Sequence, residues 1–349
     1  MSRRFPIKGP VPDPDPAPKP ESTPTPEPVG HAPVLLQETL DLLAPTPGAT
    51  VIDVTLGRGG HAAALLPLIH GGRLIGLDTD PANAGFARRR LAPLARAHGV
   101  ALDVVHANFA GVRYELEKLG VAGVDALLAD LGFASNQMDD PQRGLAFRFD
   151  GPLDMRLDPT RGRPASEWVN TLTEAALADL IYTLGEDRSS RRIARKIVER
   201  RSVSPILTTD ELARTVRAAS GPGARPARDR NSRPGSRSAT RGIDPATRTF
   251  MALRIAVNGE LDALDALLET LPGLLLPGGR AGIISFHSLE DRRVKQSFLR
   301  RQQDDTARRL TRKPVTAGPA ERAENPRSRS ARLRVLQRHP GDAQPPAAA

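Results

Sequence analysis

"VIDVTLGRGGHAAALL", residues 51–66, decides how the rest of the chain is read. An apolar run ends at Asp53, and Gly57, Gly59, Gly60 and His61 follow before apolar residues resume. The run reads as a strand and residues 60–69 as a helix, with bare backbone at the turn between them. The glycines fit G-x-G-x-x-A from Gly57 to Ala62, and Asp78 lies 21 residues beyond Gly57. That spacing suits a nucleotide fold in which the acid binds ribose hydroxyls. By itself the motif leaves a nicotinamide dinucleotide, another nucleoside cofactor and a plain structural turn open. A P-loop is excluded, because no Gly-Lys-Ser/Thr follows.

Outward from this stretch, strand-like and helix-like segments alternate. "RLIGLD" (73–78), "ALDVVHA" (101–107) and "VDALLADLG" (124–132) read as strands; 81–98 and 109–120 read as helices. Such alternation predicts an α/β domain with a parallel sheet covered on both faces. Ligands in such sheets bind beyond the carboxyl ends of the strands. Before the first strand, "APVLLQETLDLLAP" predicts a helix with Leu35, Leu36, Leu40 and Leu43 on one face.

After Asp130 the rhythm changes. Residues 139–162 are rich in Gly, Pro and Asp and read as loop; 173–184, 187–201 and 209–219 read as helices. An Arg/Gly/Pro/Ser stretch, 221–242, reads as disordered. One long helix is then expected from the recurrence of Phe250, Leu253, Val257, Leu261, Leu264 and Leu268. "PGGRAGIISF" supplies another buried strand. The expected organisation is a Pro-rich arm (1–30), a discontinuous α/β domain (31–139 and 244–300), an inserted basic helical domain (140–243) and a basic C-terminal tail (301–349). "RLRVLQR" at 332–338 is expected to pair, if at all, as a late edge strand.

Composition narrows the chemistry. The chain has no cysteine, which excludes disulfides, thiolate zinc sites and cysteine nucleophiles. No apolar run spans a bilayer, and the basic N-terminus lacks the apolar stretch of a secretory signal. The cytoplasm is the expected location. The net charge is +10, with net +5 in 221–242 and net +9 in 291–349, so the positive charge is concentrated in these two segments. Polyanion binding is the natural reading. No His/Asp/Glu grouping has convincing metal spacing, so no metal is expected, although the acids of "DDPQRGLAFRFDGPLD" leave room for Mg²⁺.

Asp53, Asp78 and Asp130 each end a predicted strand. One strand-end acid is commonly a helix cap. Three line one sheet edge with negative charge. S-adenosylmethionine (SAM) carries a sulfonium, an ammonium and a ribose diol, which suits that edge; the pyrophosphate of a dinucleotide would be repelled by it.

Ten ordered runs resemble one family, the RsmH (MraW) small-subunit ribosomal RNA cytosine-N4 methyltransferases: "HAPVLL" (31–36), "GRGGH" (57–61), "LDTDP" (77–81), "DLGFASNQMDD" (130–140), "RGLAF" (143–147), "DGPLDMRLDP" (150–159), "RRIARKIVER" (191–200), "PATRTFMALRIAVNGE" (245–260), "GGRAGIISFHSLEDRRVK" (278–295) and "NPRSRSARLRV" (325–335). The resemblance implies a class I SAM-dependent methyltransferase (Rossmann-like) sheet with an inserted helical domain. It also implies methyl transfer from SAM to the N4 amine of a cytidine in 16S ribosomal RNA, at the decoding centre near the P site. On this similarity Gly59, Gly60 and His61 hold the methionine end of SAM, Asp78 grips the ribose, Phe109 packs near adenine, and Asp130 and Gln137 complete the pocket. The family's Ser-Ser-Pro after the fourth strand is replaced here by Ala134-Ser135-Asn136, and Asp244 stands where a histidine is expected.

Asp130 is also the candidate catalytic residue, as acceptor of an N4–H. His287 is a candidate proton acceptor with a structural role as the alternative. Arg191, Arg192, Arg195, Lys196, Arg200 and Arg201 form a basic helix that suits RNA, either naked or in the small subunit. The rival readings are a non-catalytic RNA-binding assembly factor and an NAD-dependent dehydrogenase. Oligomeric state is open.

Overall fold

The structure is a computed structural model that describes residues 33–220 and 244–341. The Pro-rich arm, His31 and the Arg-rich stretch 221–242 lie outside the described residues.

A seven-stranded sheet organises the chain: β1 (Thr50–Asp53), β2 (Arg73–Asp78), β3 (Ala101–His106), β4 (Val124–Asp130), β5 (Leu275–Ser285), β6 (Ala307–Arg309) and β7 (Arg332–Arg338), in the order β3-β2-β1-β4-β5-β7-β6. β1 to β5 are parallel, and β7 runs antiparallel between β5 and β6. This is the parallel α/β sheet, with one antiparallel addition, that the alternation of strands and helices led one to expect. From β1 the chain first builds outward through β2 and β3, then returns to add β4 on the other side. The crevice at that reversal lies beyond Asp53 and Asp130.

Strand residues alternate between two cores. Val51, Leu74 and Leu128 enter one; Ile52, Ile75 and Leu127 enter the other. Successive strand side chains point to opposite faces, so unbroken apolar runs are what a sheet covered twice requires. The first core is closed by α1 (Leu36–Leu43), α2 (Gly60–Leu65) and α3 (Pro81–Ala97), through Leu43, Leu65 and Leu91. The second is closed by α4 (Val112–Lys118) and two later helices. A short α5 (Ser135–Asp139) follows β4.

A third core belongs to the helical unit: α6 (Ala165–Thr171), α7 (Glu174–Gly185), α8 (Ser190–Arg201), α9 (Thr209–Ser220) and α10 (Ala246–Asn258). Here the structure differs from expectation. The long helix expected from Phe250 to Leu268 is two helices, α10 and α11 (Glu260–Leu274), divided at Gly259, whose left-handed φ of 58° glycine adopts at little cost. Phe250 and Leu253 pack in the helical core, while Leu264 and Leu267 pack on the sheet. The helical unit thus includes α10 and extends past residue 243.

The C-terminal segment also departs from expectation. After α12 (Ser288–Gln303), it forms β6, α13 (Pro319–Glu324) and β7. β7 is an interior strand rather than an edge, with Leu333, Val335 and Leu336 buried and Arg334 paired with Asp291 at 2.7 Å. The segment through residue 341 is therefore part of the sheet domain, not an irregular tail.

Candidate active site

Three strand tips converge on the crevice. Asp53 is buried, and its Oδ1 accepts from the Thr55 amide at 3.1 Å. Asp78 accepts from the Gly57 amide at 2.6 Å and the Asp80 amide at 2.7 Å. Asp130 keeps 26% side-chain exposure, yet its Oδ1 is buried without a hydrogen-bond partner. Thr55 links two tips, since its hydroxyl accepts from the Asp130 amide at 2.5 Å.

Burial pushes all three carboxyls up: Asp53 to about 7, Asp78 to about 6 and Asp130 well above the usual carboxylate range. The negative charges of Asp53 and Glu290 raise Asp130 further. Such an edge is short of positive charge. It favours a cationic ligand and disfavours a pyrophosphate.

His61 is 5% exposed. Its Nε2 lies 3.0 Å from the Val34 carbonyl and its Nδ1 3.7 Å from Asp130 Oδ2. Burial lowers its pKa to about 4, so the ring is neutral. Gly59 caps α2, and a Cβ on Gly60 would lie 2.7 Å from Pro33 Cγ, so the second glycine lets α2 seat against the chain entering α1.

A narrow cavity of about 40 Å³ adjoins the acidic tips. Phe109, Leu131, Leu157 and Leu264 give it apolar walls, and Asn108, Asn258, Glu260 and Glu290 give it polar ones. Apolar side chains with polar groups at the margin are the lining that a heterocycle with amine and ring-nitrogen edges needs. The residues present therefore fit SAM: cation-poor carboxylates and an orphaned carboxylate oxygen stand at one end, an apolar slot with polar margins at the other.

Gln137 sits differently from the role carried to it. It is 3% exposed; its Oε1 accepts from the Ala134 amide at 2.8 Å and its Nε2 donates to Asp80 Oδ2 at 2.8 Å. Both ends of its amide brace the loop after β4. Asp80, which sequence reasoning passed over, is 1% exposed and receives Gln137, Arg143 Nη1 at 2.7 Å and the Ala82 amide.

His287 caps α12, with Nδ1 3.4 Å from the Glu290 amide and Nε2 3.2 Å from Glu290 Oε1. Glu260, His287 and Glu290 have donor atoms within 4.8 Å of one another. Arg254 forks onto Glu260 at 2.8 and 2.9 Å, and the Phe286 and His287 amides donate to Glu290. Protein donors thus already serve the two carboxylates. The acids of 139–154 are engaged likewise: Asp139 with Arg148, Asp140 and Asp150 on backbone amides, and Asp154 with Arg156.

On α8, Arg191, Arg192, Arg195 and Lys196 are exposed, while Arg200 and Arg201 turn inward to Glu211 and the Val169 carbonyl. Phe147 packs on Phe250 with ring centroids 4.7 Å apart. No helix among the described residues is long and apolar enough to cross a membrane.

The MraW methylase family model matches residues 28–339. The chain is 47% identical to the ribosomal RNA small subunit methyltransferase H of Sorangium cellulosum, covering 88% of this chain and 90% of that protein. It is 46% identical to the protein of the same name from Synechococcus, covering 90% and 94%. Among solved structures, an rRNA methylase from Streptococcus thermophilus aligns over 86% of this chain and 95% of its own, at 10% identity and a TM-score of 0.39.

Proposed function

Because this chain belongs to the MraW methylase family, we propose that it methylates the N4 amine of a cytidine in 16S ribosomal RNA, at the decoding centre of the small subunit. The enzyme is a SAM-dependent methyltransferase, and the observation that carries the finer reading is Asp130: a strand-end carboxyl with a buried, unpartnered oxygen beside the cation-poor cleft.

Bound SAM supplies a methyl carbon already activated by its sulfonium. The chain's own residues position and polarise. Asp78 takes the ribose, Phe109 flanks the adenine, and the Gly59–His61 turn borders the methionine end. The cytosine N4 lone pair is delocalised into the ring, so it needs electron density returned to it. Asp130, ionised once a cation lies beside it, accepts an N4–H and provides that density. Alignment of amine and methyl is the larger contribution, on the order of 7–11 kcal/mol in favourable systems. The cytidine is splayed from its strand to reach the cleft, while the exposed cations of α8 hold the phosphate backbone. Such work belongs in the cytoplasm.

The test is incubation with methyl-labelled SAM and small subunits from cells lacking the protein, followed by nucleoside analysis. Labelled N4-methylcytidine at a single decoding-centre position is expected. Label on another atom or base overturns the assignment, and SAM binding with no transfer to subunits or naked RNA leaves a non-catalytic assembly factor.

A further inference from the structure

The motifs at 143–147 and 150–159 find no task in the chemistry above, yet they reach the cofactor slot. Arg143 is 15% exposed and its guanidinium joins three parts of the molecule. Nη1 donates to Asp80 Oδ2 at 2.7 Å, on the loop whose Asp80 amide also bonds Asp78. Nη2 donates to the carbonyls of Arg156 at 3.1 Å and Leu157 at 2.8 Å. Leu157 is a wall of the slot, and its amide donates to Asn258 Oδ1 at 2.7 Å, with Asn258 lining the slot as well. Asn258 Nδ2 in turn donates to the carbonyl of Met155, a non-glycine residue at φ 65°. Two of the slot's walls thus come from the helical unit, and a single fork ties them to the carboxylate loop on the sheet.

We propose that Arg143 is a positioning residue: it holds the strap 153–158 as the outer wall of the cofactor slot, so that filling the slot is felt by the helical unit. This rests on the reading of the slot as the adenosine end of the SAM site. A planar fork is needed because one group must serve a carboxylate and two carbonyls at fixed angles. A lysine ammonium keeps the charge toward Asp80 without spanning all three. The coupling is reciprocal by thermodynamic necessity, so contacts that settle the strap from the RNA side also tighten cofactor binding.

Hydrogen exchange on the full chain, with and without S-adenosylhomocysteine, tests this. In the parent protein the ligand slows exchange at 57–66 and also at 153–158, where the Met155 and Leu157 amides bond Arg143 O and Asn258 Oδ1. In Arg143→Lys, protection at 57–66 persists, protection at 153–158 is lost, and affinity falls roughly tenfold, as for one charge-assisted hydrogen bond. Unchanged protection at 153–158 in the variant overturns the proposal. If the variant does not fold, the parent decides: protection at 57–66 without protection at 153–158 also overturns it. Protection at neither segment overturns the cofactor reading, and the proposal with it.

Discussion

His61 Nδ1 faces Asp130 Oδ2 across 3.7 Å, too far for a hydrogen bond. The Val34 carbonyl can only accept, so His61 Nε2 carries the proton and Nδ1 turns a lone pair toward Asp130. Burial pushes the imidazole down and the carboxyl up, so neither is comfortable when charged. The floor of the cleft therefore lacks a cation, and an ammonium or sulfonium supplies one.

His61 stays neutral through the working range. Its pKa of about 4 lies below the ordinary 6.5, so between these values the unfolded chain binds more protons than the folded one. Its contribution to stability is complete above pH 6.5 and is lost as pH falls through 4. NMR of the ring should show no titration between pH 5 and 8. A His61 midpoint near 6.5 would contradict the buried, neutral assignment.

SAM should bind more tightly as pH rises from 5.5 to 8. Burial holds the Asp53 and Asp78 carboxyls up at about 7 and 6, so their stabilising effect is present at low pH and is lost as pH rises through those values. A cationic ligand favours their ionised forms, and binding releases protons. Calorimetry in buffers of different ionisation enthalpy measures that release. Binding accompanied by proton uptake at pH 6 contradicts the account.

Asp130→Ala separates catalysis from cofactor binding. Loss of an N4–H acceptor should lower kcat by about 100-fold or more, in the range of general-base contributions. SAM affinity, measured by equilibrium binding, should fall by less than about tenfold. Equal losses in both would make Asp130 a cofactor ligand and nothing more.

Phe109→Ala removes one apolar wall of the slot. Truncating a ring that packs on a ligand costs about 2 kcal/mol, near 30-fold in affinity. SAM and S-adenosylhomocysteine share the adenosine end, so both should weaken alike. A selective effect on SAM would place Phe109 beside the sulfur instead.

RNA binding should weaken steeply with salt, and Arg191→Ala with Arg192→Ala should flatten the slope by about two if each cation meets a phosphate. Cofactor affinity should not change. An unaltered slope would turn the outer face of α8 away from the RNA.

The order of strands and helices up to Asp130 is legible because each apolar run needs only its own period and flanking turn residues. The acids at the strand tips are legible for the same reason: chain position along a parallel sheet determines which end a residue occupies. The family motifs extend that reading to the cofactor. Gln137 and Asp80 are another matter. Their partners lie 57 and 63 residues apart in the chain, and nothing local announces that one buried carboxylate receives both an amide and a guanidinium.

The same limit explains the two structural differences. Apolar residues recur at helical spacing on both sides of Gly259, so periodicity runs through the break; the left-handed turn at Gly259 and packing against separate cores divide α10 from α11. β7 is basic and remote from β5 in the chain, and its interior place depends on pairings such as Gly282 with Val335. By itself the amino-acid sequence determined the α/β rhythm, the glycine turn and the three acidic tips, because these follow from local period and connection. Tertiary structure alone decided which carboxylates stay unpaired, which amides brace them and where the C-terminal strand docks, because burial and partnership are made by residues that meet only after the chain has closed on itself.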